Sequence, residues 1–573
     1  MSSNSGVPPL YPVPLLPDTF QRSDKTDPPA ADGAPPASPV APTSPLHPDS
    51  LTPRPITTMH RALGIVEIVS AIVLHLDRPD LAALARTSRL HLSMAVPRLW
   101  EAVTPAGALS LLRMLDSEMD EFSLCATPQQ SDRFKLYAQH IRLAAISANN
   151  PRASPSFGPL PDLDLDESQL TILRRCFPKL WTFSVNLSQS TILRLASAFI
   201  TPTMTCLSMT VNDVHDPQVI ESFVSFIEHI KAVNPPLIKV GFGVGVLSQC
   251  PPPVFAAAQS LMRQMRGATD IFIFDSNLGY ALMKEFQQRL KSVIILSQGL
   301  HMLPPNDHCG LSMCQLKKLE LAISAHELIA VVFRLHAPLL QYLDITCHII
   351  CNEWCGPATV CLVLTTMDLA SLEQLCIKIQ EIDDVLEIST QVVEFKHFGA
   401  VSAFPLLKKF VFRFYSRCPL ALGDTDIIKM ARAWPALEVF TVDWRLTSET
   451  LTPLSGLHRD DEDRGGPGGL VAPGDLTIHC LSSLKEHCPH LRSIWFKHLT
   501  CSEADELDTV EWKASPGRVD LYVGASYLRT TNVSSAYAYL RSLWDDLQLE
   551  WGEENSSGMQ WARVAERFKS PHV

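Results

Sequence analysis

One short motif recurs seven times along the chain and constrains the fold more than any other feature. A proline is followed by leucine or methionine two positions later, and by apolar residues five and seven positions after the proline. The copies start at Pro178, Pro202, Pro235, Pro338, Pro405, Pro435 and Pro489. Proline terminates a helix, and an alternating apolar pair is typical of a strand with one buried face. Each copy therefore predicts a helix end followed by a short strand.

Weaker copies that lack the proline fill the longer gaps. They begin at Leu290, Leu316 and Leu372. A strand and a helix in every unit, none able to bury its apolar side alone, are typical of a leucine-rich solenoid. The sequence therefore predicts an α/β fold over residues 106–500, an irregular leucine-rich-repeat solenoid whose curved, mostly parallel sheet carries helices on its outer face. The alternative is another α/β fold, or an all-helical fold, in which the spacing is coincidental.

Composition and charge narrow the class of protein. The chain has 573 residues and a net charge of −12, and it shows no basic cluster, which disfavours a nucleic-acid partner. Neither a basic segment followed by an apolar run nor a membrane span is found, so we expect no membrane partner. Fifteen scattered cysteines favour a reducing, intracellular location, either cytoplasm or nucleus.

Two segments have compositions that cannot form a core. Residues 1–56 carry 15 of the 44 prolines and predict a disordered arm. Residues 456–475 combine an acidic run with a glycine-rich run and predict a flexible insertion within the solenoid.

Residues 57–105 predict a small helical domain. Six apolar residues share one stripe of a first helix: Ile65, Ile68, Val69, Ile72, Val73 and Leu76. Asp77 is predicted to cap a second helix, with Pro79 in its first turn and Asp80 three positions after the cap. The apolar residues of the second and third helices include Leu81, Leu84, Leu99 and Trp100. Three short helices form a small core, and such a unit often completes that core against a partner.

Several segments of the chain are similar to one protein family. The runs 63–69, 74–81, 85–88 and 98–101 resemble an F-box, most closely the F-box-like proteins of basidiomycete fungi. Residues 133–142 are similar to the segment that opens the repeats in those proteins. Residues 521–526, with the tryptophan-bearing tail that follows, resemble their C-terminal closing element.

The resemblance implies a substrate-recognition subunit of an SCF-type cullin ubiquitin ligase. The helical domain would bind a Skp-type adaptor, which links it to the cullin, and the repeats would bind an unknown target protein. The adaptor-binding residues would be Ile65, Ile68, Val69, Ile72, Leu76, Leu81, Leu84, Leu99 and Trp100. Val66 stands where the family has a proline before the first helix. An interaction scaffold that no longer binds the adaptor therefore remains an alternative.

Residues 501–573 predict a capping element. Val533, Tyr537, Leu540 and Trp544 share a helix face after the cap candidate Asn532, and Trp561, Val564, Ala565 and Phe568 repeat the pattern. A terminal repeat has to hide its apolar side from water, so we expect both helices to close the solenoid.

The residues of a binding groove can be predicted from their odd or even position along each strand, hereafter parity. In a strand, buried side chains alternate with side chains on the opposite face. This alternation nominates Tyr342, Asp344, Lys409, Arg413, Asp443, Trp495 and Lys497. Tryptophan and arginine on a polar strand face are typical anchors of protein interfaces. The alternative is that Trp495 packs against a neighbouring repeat and that the charged residues are only solvated.

No group of residues predicts catalysis. Cys347, Cys351, Cys355 and Cys361, with His348, are the densest set of potential metal ligands, but their spacing does not match common zinc modules. Gly241, Gly243 and Gly245 run into Pro251 and not directly into a helix, as a phosphate-binding loop requires. We therefore predict a binding protein without catalytic residues, cofactor or metal. An enzyme with an unrecognised site in the cysteine-rich middle is the remaining alternative.

Overall fold

The computed structural model describes most of the chain after residue 65. The described residues are 66–103, 135–147, 174–187, 190–211, 215–244, 250–297, 310–332, 335–349, 360, 364, 367, 369–381, 393–394, 404–415, 420–444, 476–497, 499–501, 517–524, 526–528, 530–552 and 558–569. The predicted arm 1–56 and the predicted insertion 456–475 lie outside these ranges.

A unit of three short helices precedes the sheet. The helices are α1 (Val66–Val73), α2 (Arg78–Ala85) and α3 (Arg89–Leu99). As predicted, Asp77 caps α2, and its carboxylate accepts a hydrogen bond from the Asp80 N–H at 3.0 Å. Ser88 caps α3 in the same way through the N–H of His91 at 3.1 Å. The three helices enclose a separate small core of Val69, Val73, Leu81 and Ala95.

The rest of the described chain is built on one sheet of fifteen strands, all parallel to their neighbours. The order of strands in the sheet is their order in the chain. They are β1 (Ala102–Val103), β2 (Leu143–Ser147), β3 (Thr182–Leu187), β4 (Cys206–Val211), β5 (Lys239–Val244), β6 (Asp270–Ile273), β7 (Ser292–Leu296), β8 (Lys318–Ser324), β9 (Tyr342–Ile349), β10 (Gln374–Glu381), β11 (Lys409–Tyr415), β12 (Val439–Trp444), β13 (Ser493–Phe496), β14 (Val519–Val523) and β15 (Leu547–Trp551). Because each strand pairs only with its chain neighbours, the sheet grows in one direction. The predicted α/β class with a parallel sheet is confirmed.

Helices connect many of the strands, and one continuous core joins them to the sheet. They are α4 (Ser190–Ser197), α5 (Pro217–Val233), α6 (Pro252–Gln264), α7 (Ser276–Phe286), α8 (Ala325–Val332), α9 (Asp424–Ala433), α10 (Cys480–His487), α11 (Val533–Leu543) and α12 (Gly558–Lys569). On each strand every second side chain enters this core, as Leu343, Ile345 and Cys347 do on β9. None of the described helices is long and apolar enough to cross a membrane.

The recurrent proline occupies a tight turn. The N–H of Leu437 donates to the carbonyl of Trp434 at 3.1 Å, which places Pro435 at the second position of a four-residue turn, where its fixed φ is favourable. Leu340 closes the same turn around Pro338 at 3.1 Å. The proline therefore presets the turn, and the following leucine enters the core.

A helix does not precede every one of these turns. Pro202, Pro235, Pro435 and Pro489 follow helices, as predicted. Pro338 instead follows the two-residue strand Leu335–His336, which pairs with Leu311–Ser312. Helix termination is thus not the common role of the proline. The turn before the strand recurs at six of the seven copies, whereas at Pro235 the Leu237 N–H donates to the carbonyl of Pro235 itself at 2.8 Å.

Shared carbonyls hold successive strands in register. The N–H groups of Gln341 and Tyr342 both donate to the carbonyl of Lys317, at 2.9 and 3.0 Å. Those of Lys408 and Lys409 both donate to the carbonyl of Glu373, at 2.7 and 3.0 Å. Because the same arrangement recurs along the sheet, equivalent positions of successive units lie side by side.

The helical unit is joined to the first strand by specific contacts. Arg78 donates from Nη2 to the carbonyls of Leu99 and Ala102 at 2.8 and 3.0 Å. The carboxylate of Glu101 pairs with Arg98 at 2.7 Å and with Arg142 at 3.3 Å. The end of α3 is therefore tied to both β1 and β2.

The C-terminal helices α11 and α12 pack as predicted, with two differences. The Trp561 side chain is buried and donates to the carbonyl of Ser526 at 3.1 Å, and Tyr537 meets Phe568 edge to face at 4.9 Å. Asn532 makes no side-chain capping bond; its Oδ1 accepts from the Thr531 hydroxyl at 3.1 Å, and its amide nitrogen donates to the carbonyl of Cys501 at 3.3 Å. Trp544 is buried but lies just after α11 in extended conformation, so it is not part of the helix face.

Candidate protein-binding surfaces

The side of the sheet opposite the core, hereafter the polar face, is the first candidate surface. On β9 the residues that alternate with the buried ones are Tyr342, Asp344, Thr346 and His348. All seven residues nominated by parity lie on this face: Tyr342, Asp344, Lys409, Arg413, Asp443, Trp495 and Lys497. Their role in binding stays a prediction.

The register arranges these residues in rows across the strands. Tyr342 and Lys409 belong to the row at the start of the strands, and Asp344 and Trp495 to the next row on the same face. A third row, hereafter the charged row, contains Lys378, Arg413 and Asp443 on β10, β11 and β12. Lys497 continues this row, because its N–H donates to the carbonyl of Val442 at 3.2 Å. Neighbouring members are about 4.8 Å apart, the spacing of paired strands.

A network of polar contacts surrounds Asp344. Its carboxylate pairs with Lys378 at 3.4 Å and accepts from the Tyr342 hydroxyl at 3.4 Å. Lys318 pairs with Glu320 at 2.8 Å, and its Nζ lies 5.0 Å from the centre of the Tyr342 ring. Burial and the negative charge of Asp344 raise the pKa of Tyr342. Both ion pairs are thus internal to the polar face.

The thiol of Cys376 lies in the same region. Burial, followed by the negative charge of Asp344, raises the pKa of Cys376 to about 12. The thiol therefore stays protonated at neutral pH. A protonated thiol is a poor nucleophile, which gives no support to an enzymatic role for this cysteine.

Arg413 and Asp443 face one another across β11 and β12 without forming an ion pair. Asp443 is only 6% exposed, and its Oδ2 accepts from the Tyr415 hydroxyl at 2.9 Å. Its Oδ1 and the Nε of Arg413 are buried without hydrogen-bond partners. Buried polar groups are usually satisfied, so an unmet donor and an unmet acceptor in one row mark a position where a ligand or water can bind.

An aromatic pair lies beside the charged row. Trp495 stacks on Tyr522 of the next strand, with centroids 4.8 Å apart and ring planes 2° from parallel. The alternative that Trp495 packs against a neighbouring repeat is therefore correct for one face of the indole, although the residue remains partly exposed on the polar face. Beyond the pair, a Cβ at Gly524 would lie 3.1 Å from Lys497 backbone atoms, and one at Gly552 would lie 3.1 Å from the carbonyl oxygen of Gly524. The Gly524 position also lies 3.1 Å from the Tyr522 ring, and the Gly552 position 3.4 Å from its hydroxyl. The two glycines therefore let the Tyr522 side chain and the neighbouring backbone pack closely.

The helical unit presents the second candidate surface, hereafter the apolar surface. Ile68 is 39% exposed, and Ile72 and Leu76 are partly exposed. Three further exposed apolar residues were not nominated from the sequence: Val66, Leu74 and Leu92. Leu74 is the most exposed of these, at 60%. Single exposed apolar side chains are ordinary. Ile68 and Ile72 are four positions apart on α1 and share one side of that helix, so they form the part of this surface that a partner can cover.

Two nominated adaptor-binding residues are corrected by the structure. Val69 and Leu81 are 1% and 4% exposed and form the core between the three helices, so a partner cannot reach them. Leu84 and Leu99 pack against that core. Trp100 instead stacks on Tyr137, with centroids 4.9 Å apart, and so joins the helical unit to the sheet. Ile65 lies outside the described residues.

No metal-binding group is found among the described residues. Cys347 and His348 are consecutive on β9, so their side chains point to opposite faces of the sheet and cannot share an ion. Cys351, Cys355 and Cys361 lie outside the described ranges. Gly241 and Gly243 are within β5, where a Cβ would lie 2.8 Å from Ser208 Oγ and 2.7 Å from Thr210 Oγ1. These glycines permit close contact between strands and are not in a loop.

The chain was compared with protein-family models and with curated proteins. No protein-family model matches the chain, and no similar sequence is found among curated proteins.

Proposed function

We propose that this chain is a target receptor of a cullin ubiquitin ligase, in which residues 57–105 form an F-box-like module and the sheet a leucine-rich-repeat solenoid. One observation carries the proposal. A parallel sheet whose strand order equals its chain order presents a polar, partly exposed face, and a small helical unit with exposed apolar side chains directly precedes it. Two separate surfaces on one chain suit a protein that holds two partners together.

The adaptor is assigned to the apolar surface. Ile68 and Leu74 would be buried against a Skp-type adaptor, and burial of apolar area contributes most of the free energy of such contacts. The contacts of Arg78 and Glu101 would then hold the adaptor in a fixed relation to the first strands.

The target is assigned to the polar face. A bound target is held near the conjugating enzyme, which raises the effective concentration of its lysines without chemistry by this chain. The second candidate, a solenoid scaffold without ligase engagement, is favoured by Val66 in place of the family's proline.

Co-expression with a Skp-type adaptor and co-purification test this proposal. The substitutions Ile68→Asp and Leu74→Asp place charges on the apolar surface and should reduce adaptor recovery at least about tenfold, because burying an unpaired carboxylate is costly. Leu406→Asp is the matched control, since Leu406 is 53% exposed but lies on a turn of the sheet. Equal recovery of all three variants, or no recovery with the unsubstituted chain, would favour the scaffold.

A further inference from the structure

The polar face differs in charge from the chain as a whole. This inference rests on the proposed assignment of target binding to that face. The chain has a net charge of −12, yet the described polar face between β8 and β13 has five cationic and three acidic side chains. The cations are Lys318, Lys378, Lys409, Arg413 and Lys497, and the acids are Glu320, Asp344 and Asp443. On β14 and β15 the same face carries Asp520, which pairs with Arg518 at 3.1 Å, and Glu550, which lies in register with Tyr522. The excess of positive charge is therefore confined to the strands from β8 to β13 and to Lys497.

Pairing leaves three of these cations without a carboxylate partner. Lys318 and Lys378 are neutralised by Glu320 and Asp344. Lys409, Arg413 and Lys497 have no ion pair with any carboxylate of the described residues. Asp443 lies between Arg413 and Lys497 in the charged row, but it is buried and bonded to Tyr415. One acid thus offsets part of three accessible positive charges.

The aromatic pair gives the same region an apolar anchor. Trp495 on β13 lies one row away from Lys497, which directly follows that strand, and stacks on Tyr522 of β14. Partly exposed aromatic side chains beside charged ones are typical of binding hot spots. A ligand that spans the charged row and the pair would carry an anion next to an apolar group.

We propose that the polar face binds a peptide segment with a negatively charged side chain, held by Arg413 and Lys497, and an apolar side chain that packs on Trp495. The anion is a carboxylate or a phosphate, both of which guanidinium and ammonium groups bind by charge-assisted hydrogen bonds. A nucleic-acid strand fits less well, because a long polyanion would extend from this small positive region over a chain of net negative charge.

Binding of labelled peptides to the full-length chain tests the proposal. Three peptides of equal length carry a leucine beside glutamate, phosphoserine or glutamine residues. We expect the glutamate or phosphoserine peptide to bind at least about tenfold more tightly than the glutamine peptide, with the difference shrinking as salt is added. The tighter of the two anionic peptides identifies the anion. Equal affinity for the anionic and glutamine peptides, or no binding of any, overturns the proposal.

Substitutions locate the site. The double substitution Arg413→Ala with Lys497→Ala should weaken the anionic peptide about tenfold or more and leave the glutamine peptide unchanged. The matched control is Lys291→Ala with Lys317→Ala, which removes two exposed lysines outside the polar face. Equal weakening by this control pair overturns the proposed site.

Asp443→Asn tests the sign of the charge preference. Loss of the negative charge between the two cations should strengthen binding of the anionic peptide, because the repulsion between the Asp443 carboxylate and the bound anion is removed. Weaker binding in this variant would show that Asp443 receives a donor from the ligand, and the proposal would be wrong. None of these substitutions alters the apolar surface, so adaptor recovery should persist in each. Peptide binding therefore tests the charge preference of the polar face, and adaptor recovery separately tests the proposed function.

Discussion

The carboxylate of Glu327 accepts a hydrogen bond from the hydroxyl of Ser276 at 2.5 Å, although the two residues are 51 positions apart in the chain. Its other oxygen accepts from the N–H and the hydroxyl of Ser324, both at 2.9 Å. The Glu327 N–H donates in return to the Ser324 hydroxyl at 3.4 Å, which completes a capping box at the start of α8. Ser297 adds a contact at 3.4 Å. These serines follow or end β6, β7 and β8, so one buried carboxylate joins three successive units.

Glu327→Ala should lower the free energy of unfolding by about 2–4 kcal/mol, since it leaves several buried donors without an acceptor. Denaturant unfolding measures the loss. Glu228→Ala is the control, because the Glu228 side chain is 58% exposed and pairs only with Lys231 at the surface, where a change below about 1 kcal/mol is expected. Similar losses in both variants would contradict a stabilising role of the buried network.

The structure of the turn at Pro435 predicts that alanine substitutions at Pro435 and at Leu437 lower the free energy of unfolding by different amounts. Leu437 is fully buried, so Leu437→Ala should cost about 2–5 kcal/mol of unfolding free energy. Pro435→Ala should cost less than about 1 kcal/mol, because the bond between the Leu437 N–H and the Trp434 carbonyl can still form. Equal losses in denaturant unfolding would mean that the proline does more than preset the turn.

Val66→Pro tests whether the missing proline limits adaptor binding. Val66 is the first residue of α1 and is exposed, and proline is favourable at the first helical position. We expect helix content by circular dichroism to be unchanged and adaptor recovery to be equal or higher. Loss of recovery with an intact circular dichroism spectrum would show that this helix start differs from the one in the F-box family.

Buried thiols predict a loss of stability in alkali. Burial raises the pKa of Cys376 and of Cys488 to about 12, from an unfolded value of 9.0. Between these values the unfolded chain releases protons that the folded chain retains, so stability is full below about pH 9 and falls as the pH rises toward 12.

Unfolding at pH 8 and pH 10 checks this direction. Replacing Cys376 and Cys488 by alanine should reduce the difference between the two pH values, since tyrosines and lysines contribute equally to both chains. An unchanged difference would show that these thiols do not contribute to the pH dependence.

The recurring motif and its weaker copies located ten of the fifteen strands, whereas β1, β2, β6, β14 and β15 carry no copy. The alternation of Leu343 and Ile345 with Asp344 predicts a strand. It also predicts the face of the sheet on which each side chain lies, because successive residues of a strand point to opposite sides. The same alternation placed Trp495 and Arg413 on the polar face. The three weaker motifs at Leu290, Leu316 and Leu372 also lead into strands, although they lack the proline.

The apolar stripe of the first helix was less informative. Ile68 and Val69 are adjacent on that stripe, yet Ile68 is exposed and Val69 is buried between helices. Periodicity shows that a stripe will be covered but not by what. Whether α3 or a partner covers a given side chain depends on how the three helices pack.

The positions of the ten strands that follow the motif, the face of their side chains and the capping of α2 by Asp77 were determined by the sequence alone, because each depends on residues a few positions apart. The pairing of Ser276 with Glu327, the stack of Trp495 on Tyr522 and the absence of an ion pair between Arg413 and Asp443 were decided only by the tertiary structure. These contacts join residues of different units, and they exist because the parallel register brings equivalent positions of distant segments side by side.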